Sequence, residues 1–193
     1  MIFLTGDTHS DIKRFSSHNF PEQQNLTKND YVIILGDFGL VWDLEESKYE
    51  KYWLDWLDTK PFTTLFLDGN HENHKRLHTY PSEIWKGGRI HRIRNSVIHL
   101  MRGYVYNLQG MRFFVFGGAR SHDIEDGILE VGDPRIKQWS KNQGYFGCTV
   151  KRFRVKDVSW WEEEMPSEKE RLRGLNNLAK CNNKVDYQVN LIS

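Results

Sequence analysis

Three short apolar runs, at 1–4, 31–35 and 63–67, are rich in β-branched and aromatic side chains, and each gives way to glycine and a polar cluster. That is the pattern of buried strands. Between the second and third, Tyr49, Tyr52, Trp53, Trp56 and Leu57 recur at helical spacing over 47–58. The spacing predicts a helix, and with it a βαβ unit of parallel strands. The aromatic stripe reads as core rather than as a ligand site. From 97 to 116, SVIHLM, YVYNL and MRFFVF are separated by Arg102-Gly103 and Gln109-Gly110, predicting an antiparallel meander in a second sheet. From 121 to 157 the pattern dissolves into charged residues and glycines, an insertion near the site of the kind that is either functional or mobile. Ser167 followed by Glu170 forms a capping box, and Leu172, Leu175 and Leu178 carry a helix to Lys180 despite Gly174. Over 185–192, Val185, Tyr187, Val189 and Leu191 alternate with Asp186, Gln188 and Asn190, as in a half-buried edge strand. The expectation is an α/β fold in one domain over 1–193.

Composition adds limits rather than direction. The 193 residues are 38% hydrophobic and 13% aromatic, enough for a sizeable core. The formal charge is +1, so an anionic ligand has to be recognised locally rather than by a global field. No apolar run approaches the ~20 residues of a membrane helix, and an aspartate already stands at position 7. The expectation is a cytoplasmic protein with no membrane partner. Cys148 and Cys181, the two cysteines, lie outside any ligand-like spacing and are expected to be reduced thiols.

The candidate chemistry sits where the three runs end. The first leads into Gly6-Asp7-Thr8-His9, and residues two apart on extended backbone point the same way, so Asp7 and His9 can converge on one ion. Alone, that triplet is a weak signal. The second run ends in Gly36-Asp37 and the third in Asp68-Gly69-Asn70-His71-Glu72, so oxygen and nitrogen donors recur at three neighbouring strand ends, where open parallel sheets bind ligands. Glycines 6, 36 and 69 let the backbone turn sharply there. Carboxylate, imidazole and amide donors suit manganese, iron or zinc. Asp37 is placed to bridge two ions ~3.5–4 Å apart that would clamp a phosphoryl oxygen.

GDTH at 6–9, GD at 36–37 and GNHE at 69–72 closely resemble the first three signature blocks of calcineurin-like metallophosphoesterases. GGARSHD at 117–123 and SWWEEEMPSEKE at 159–170 resemble a bacterial and phage subgroup of that family, so the resemblance covers almost the whole chain. It implies two β-sheets flanked by helices in an αββα sandwich, and hydrolysis of phosphomonoesters or phosphodiesters through a metal-activated water. It further implies that Asp7, His9 and Asp37 hold the first metal and Asp37 and Asn70 the second. His71 would contact the phosphate and assist the leaving group, with Asn70 beside it in catalysis. Manganese is the expected divalent ion, with iron and zinc as alternatives.

The family pattern continues with a strand ending in histidine and a glycine-histidine-x-histidine block. The histidines here are 9, 18, 71, 74, 78, 91, 99 and 122, so these blocks have no counterpart. The expectation is therefore a C-terminally truncated member that loads its first metal position more fully than its second, one ion instead of two. Its open sheet edge would favour a homo-oligomer. His122 is a candidate substitute ligand or phosphate contact, the alternative being a surface histidine. Asn73 and His74 read as a helix start. Arg89, His91, Arg92 and Arg94 are a solvated connection, with nucleic-acid binding a minor alternative, and KRFRVK at 151–156 a solvated face. Trp160 and Trp161 line the site mouth or pack internally. Two functional classes result: a metal-dependent phosphoric ester hydrolase, or an impaired remnant acting as a binding or regulatory module.

Overall fold

The first three apolar runs form β1 (Ile2–Thr5), β2 (Tyr31–Ile34) and β3 (Thr63–Phe66), paired parallel in that order. The computed structural model describes residues 1–141 and 150–190. Between β2 and β3 runs α1 (Lys48–Asp58), whose capping box joins the Ser47 hydroxyl to the Glu50 amide and the Glu50 carboxylate to the Ser47 amide. α2 (His74–Thr79) follows β3 and is capped by the Asn73 side chain, which accepts from the Arg76 amide. Next come β4 (Ser82–Trp85) and β5 (Gly88–Arg94), an antiparallel hairpin, and then β6 (Val97–Leu100). These complete a six-stranded sheet in the order β1-β2-β3-β6-β5-β4.

Here the structure corrects two expectations. Residues 97–100 do not join the second sheet: β6 lies parallel to β3 and antiparallel to β5, and all four of its residues are buried because both its faces are covered. The basic stretch at 89–94 is no connection but strand β5, and its cations are engaged. Arg94 pairs with Asp55 and Glu46, Arg92 with Glu83, and Arg89 donates to Ser82 Oγ, while His91 is buried.

β7 (Tyr104–Leu108) and β8 (Met111–Phe116) form the expected hairpin, and β11 (Tyr187–Asn190) pairs parallel to β8 at the edge of this three-stranded sheet. The final two residues of the expected strand, 191–192, lie outside the described residues. A two-stranded parallel ribbon of β9 (Gly127–Leu129) and β10 (Phe153–Val155), together with α3 (Pro134–Lys141), forms the described part of the 121–157 segment. Then α4 (Glu168–Lys180) runs from its Ser167 and Glu170 capping box, as expected. Cys148 falls outside the described residues; Cys181 is a free thiol. Among the described residues no helix is long and apolar enough to cross a membrane.

The period of two along each central strand builds two cores. Val32, Ile34, Phe66 and Val97 face α1 and join Leu54, Leu57, Phe15 and Phe62. Tyr31, Ile33, Leu65 and Ile98 face the second sheet and meet Tyr106, Phe113, Val115 and Val189. The aromatic stripe of α1 is only partly core: Trp53 and Trp56 pack on the first cluster, whereas Tyr49 and Tyr52 are exposed. The result is the helix-flanked α/β arrangement that the resemblance implies.

Candidate metal centre

The carboxyl ends of β1, β2 and β3 all open on one crevice, and backbone bonds lock their loops together. The amides of Thr8 and His9 donate to the Asp37 carbonyl at 3.1 and 2.8 Å, and the Ser10 amide donates to the Phe38 carbonyl at 3.1 Å. His9, Ser10 and Asp37 all have φ between 42° and 64°, the left-handed region that costs a non-glycine residue of order 1–3 kcal/mol. Gly36 is also at positive φ, whereas Gly6 and Gly69 are not, so the expected chain reversal is carried largely by the ligand residues themselves.

His9 Nε2 stands 3.6 Å from Asp37 Oδ2 and 3.9 Å from Asp7 Oδ2. Two donors on one ion with bonds of ~2.0–2.2 Å lie at most about 4.3 Å apart, so both separations suit a shared cation. One donor atom each from His9, Asp37 and His71 lies within 4.8 Å of the others. Carboxylate and imidazole donors at the His9–Asp37 and His9–Asp7 separations fit a borderline divalent ion. Asp37 is buried, and its Oδ1 also accepts from the His71 amide at 3.0 Å. The rings of His9 and His71 meet edge to face at 4.5 Å.

Buried Glu72 ties the loops from behind. Its Oε1 accepts from the Gly39 amide at 2.9 Å and its Oε2 from the Gly69 amide at 2.5 Å. Burial and the neighbouring Asp37 charge push its carboxyl up to about 8. Asn70 is buried, with Nδ2 3.5 Å from Ser121 Oγ, and that hydroxyl donates to Glu164 at 2.6 Å. The two later motifs thus join behind Asn70. His122 is exposed, beside a groove lined by Arg120, Ser121, Ile124 and Glu125, and is not grouped with His9, Asp37 and His71.

Sequence reasoning missed Arg154. It lies in the basic run read as a solvated face, yet it is 6% exposed. Its Nε and Nη2 clasp Asp123 at 2.8 and 3.0 Å, and its Nη2 lies 3.1 Å from His71 Nε2. A guanidinium only donates, so this contact makes Nε2 the acceptor and places the proton of a neutral His71 on Nδ1. Burial, with the charges of Arg154 and His9, pushes the His71 pKa down against Asp37 and Asp123. Trp42 stacks on His71 at 5.5 Å and meets the buried Trp161 edge-on at 5.1 Å. Trp161 is thus both core and, through Trp42, backing for the site. The signal for Arg154 was the aspartate ending GGARSHD, a partner for a buried cation.

A groove of about 310 Å³, lined by His9, Trp42, Tyr49 and His71 among others, leads away from the cluster. A larger cavity of about 580 Å³ lies on the far side of the β3 loop. There Asp68 is held well below the usual carboxylate range: burial opposes ionisation, but Arg102 and His99 outweigh it.

A family description for calcineurin-like phosphoesterases matches residues 1–189. No curated protein and no solved structure matches the chain.

Proposed function

The chain belongs to the calcineurin-like phosphoesterase family, whose members are generally metal-dependent phosphoric ester hydrolases, and from that premise we propose that it hydrolyses phosphomonoesters or phosphodiesters in the cytoplasm. The observation that carries this reading is the meeting of His9, Asp37 and His71 at three strand ends, with Asp7 beside them. In this reading Asp7, His9 and Asp37 hold a divalent ion, with manganese the first choice, and Asn70 lies beside a second position next to Asp37. When bound, the ion supplies Lewis acidity toward a phosphoryl oxygen and makes water nucleophilic near neutral pH.

The protein groups do the positioning. Asp37 orients the His71 backbone through its amide, and Trp42 fixes the plane of the His71 ring. With its Nδ1 protonated and Nε2 accepting, a neutral His71 enters the reaction able to receive a proton at one stated atom and donate from the other. Asn70 contributes a neutral amide toward the transferring group. Glu72 and the locked loops keep these groups in register without further ordering.

The test is hydrolysis of a generic aryl phosphodiester and an aryl phosphomonoester with manganese, alongside metal content per chain. Metal-dependent turnover that Asp37→Ala lowers by at least about 100-fold, more than the loss of an outer-shell partner costs, is the expected result. Turnover unchanged by chelation or by Asp37→Ala would sink the reading.

A further inference from the structure

Resting on the reading of this site as a phosphoesterase centre, we propose that Arg154 is its phosphoryl-binding cation, and that Asp123 is the positioning residue that aims it.

Arg154 is anchored on three sides. Two bonds go to Asp123, Nη1 donates to the Ser159 carbonyl at 2.9 Å, and the guanidinium lies 5.8 Å over the Trp42 ring. Those partners fix the fork and leave Nη2 directed at His71 Nε2, at the edge of the cluster. A guanidinium is always charged and carries only donors. Placing one this close to residues that gather a divalent cation is repulsive unless an anion comes between them. Asp123 neutralises part of the charge, but it lies on the anchoring side. Asp7 and Asp37 are taken up by the divalent cation they hold, so the further anion is the ligand itself, a phosphoryl group presenting two or three oxygens. Of these four Arg154 bonds, the one to His71 is the longest, at 3.1 Å, and the one that faces the cluster. A phosphoryl oxygen replaces it with a charge-assisted bond. The exchange frees Nε2 toward the bound ester. A preference follows from the charges: a dianionic monoester gains more from the cation than a monoanionic diester.

The structural alternative is that Arg154 only fastens the segment around β10 to the core. The two differ in what they do to ligand affinity. On the manganese-loaded protein, calorimetric titration with inorganic phosphate should show Arg154→Gln binding about 10- to 100-fold more weakly, the scale of one charge-assisted bond. Arg154→Lys should fall between, since it keeps the charge and loses the fork. Asp123→Asn should shift affinity less and in the same direction, raising KM for an aryl monoester more than for the diester. Metal content should not change in any of them. A folded Arg154→Gln with wild-type phosphate affinity overturns the proposal. If that variant does not fold, unchanged affinity in both Arg154→Lys and Asp123→Asn overturns it equally. Failure of the function reading looks different: the wild type would then show no metal-dependent hydrolysis at all.

Discussion

Glu72 makes a measurable demand on the metal-free protein. Its carboxyl is fully buried behind the site, where burial and Asp37 push it up to about 8, against two amide donors that favour ionisation. An acid whose pKa is raised on folding binds a proton in the native state that the unfolded chain has released, so stability falls as pH rises from the ordinary value of 4.5 to about 8, by about 1.4 kcal/mol per unit. Two buried histidines act in the opposite sense at lower pH. Burial, with neighbouring charges, lowers His74 to about 4 and His91 to about 3. Each is neutral in the fold while the unfolded chain takes up a proton below 6.5, so their contributions are complete above 6.5 and fade as pH falls. The three together place the stability maximum near pH 6.5 and remove about 2 kcal/mol between there and pH 8. That is a large fraction of a typical 5–15 kcal/mol. After chelation, urea denaturation followed by circular dichroism at half-unit steps should trace this dome, and Glu72→Gln should flatten its alkaline limb and steepen the acid one above pH 4.5. Divalent ion should also flatten it, since neutralising Asp37 removes part of what raises Glu72. An alkaline limb of the same slope in Glu72→Gln, or stability still rising from pH 6.5 to 8, would refute the assignment.

Other expectations follow from packing alone. Arg76 donates to Glu50 at 2.8 Å with both side chains buried, so Glu50→Gln or Arg76→Met should each cost about 3–5 kcal/mol in denaturation, with the double variant costing less than their sum. An added Cβ on Gly88 would overlap the ring of Tyr106, which is fully buried and donates its hydroxyl to the carbonyl of Arg89; Gly88→Ala should lower stability by about 1–3 kcal/mol, and an unchanged melting curve would show that the ring has room. The outer edge of β11, beside an apolar groove of Phe114, Phe116, Leu175 and Leu178, should pair with a second copy, so light scattering should give a dimer, and a monodisperse monomer would remove that expectation.

What could be read from the sequence was what is local. The strands at 1–4, 31–35 and 63–67, the helix over 47–58, the α4 capping box and the described part of the 185–192 run each depend on residues a few positions apart, and each appears within a residue or two of its expected place. The placement of β6 depended on something else. Its sequence neighbours form a hairpin on one side and a meander on the other, so proximity suggested one continuous antiparallel sheet. Its partners are instead β5 and β3, the latter reached only after the chain crosses through α2 and the β4–β5 hairpin. His99 also disguised it, an imidazole in an otherwise apolar run, which the fold tolerates because its Nε2 lies 3.0 Å from Asp68 and its Nδ1 3.1 Å from that of His91.

The site divides along the same line. The ligand candidates stand at strand ends, so a periodic reading reaches them one by one. What aims them is long-range and polar. Arg154 shares its alternation with Arg152 and Lys156, which pair with Glu125 and Glu130 near the surface, and nothing in KRFRVK distinguishes the one that is buried. The difference is a carboxylate 31 residues earlier, because a buried cation survives only where an anion is already fixed to meet it. Glu72 is the converse case, a buried carboxyl among amide donors whose ionisation burial and Asp37 oppose. Glu72 accepts from the Gly39 amide, two residues beyond the strained Asp37, and strain of that kind persists only where the surroundings over-determine it. Glu72 therefore keeps the ligand loops in their strained, convergent geometry, while Arg154, the less visible of the two in the sequence, meets His71 at their edge.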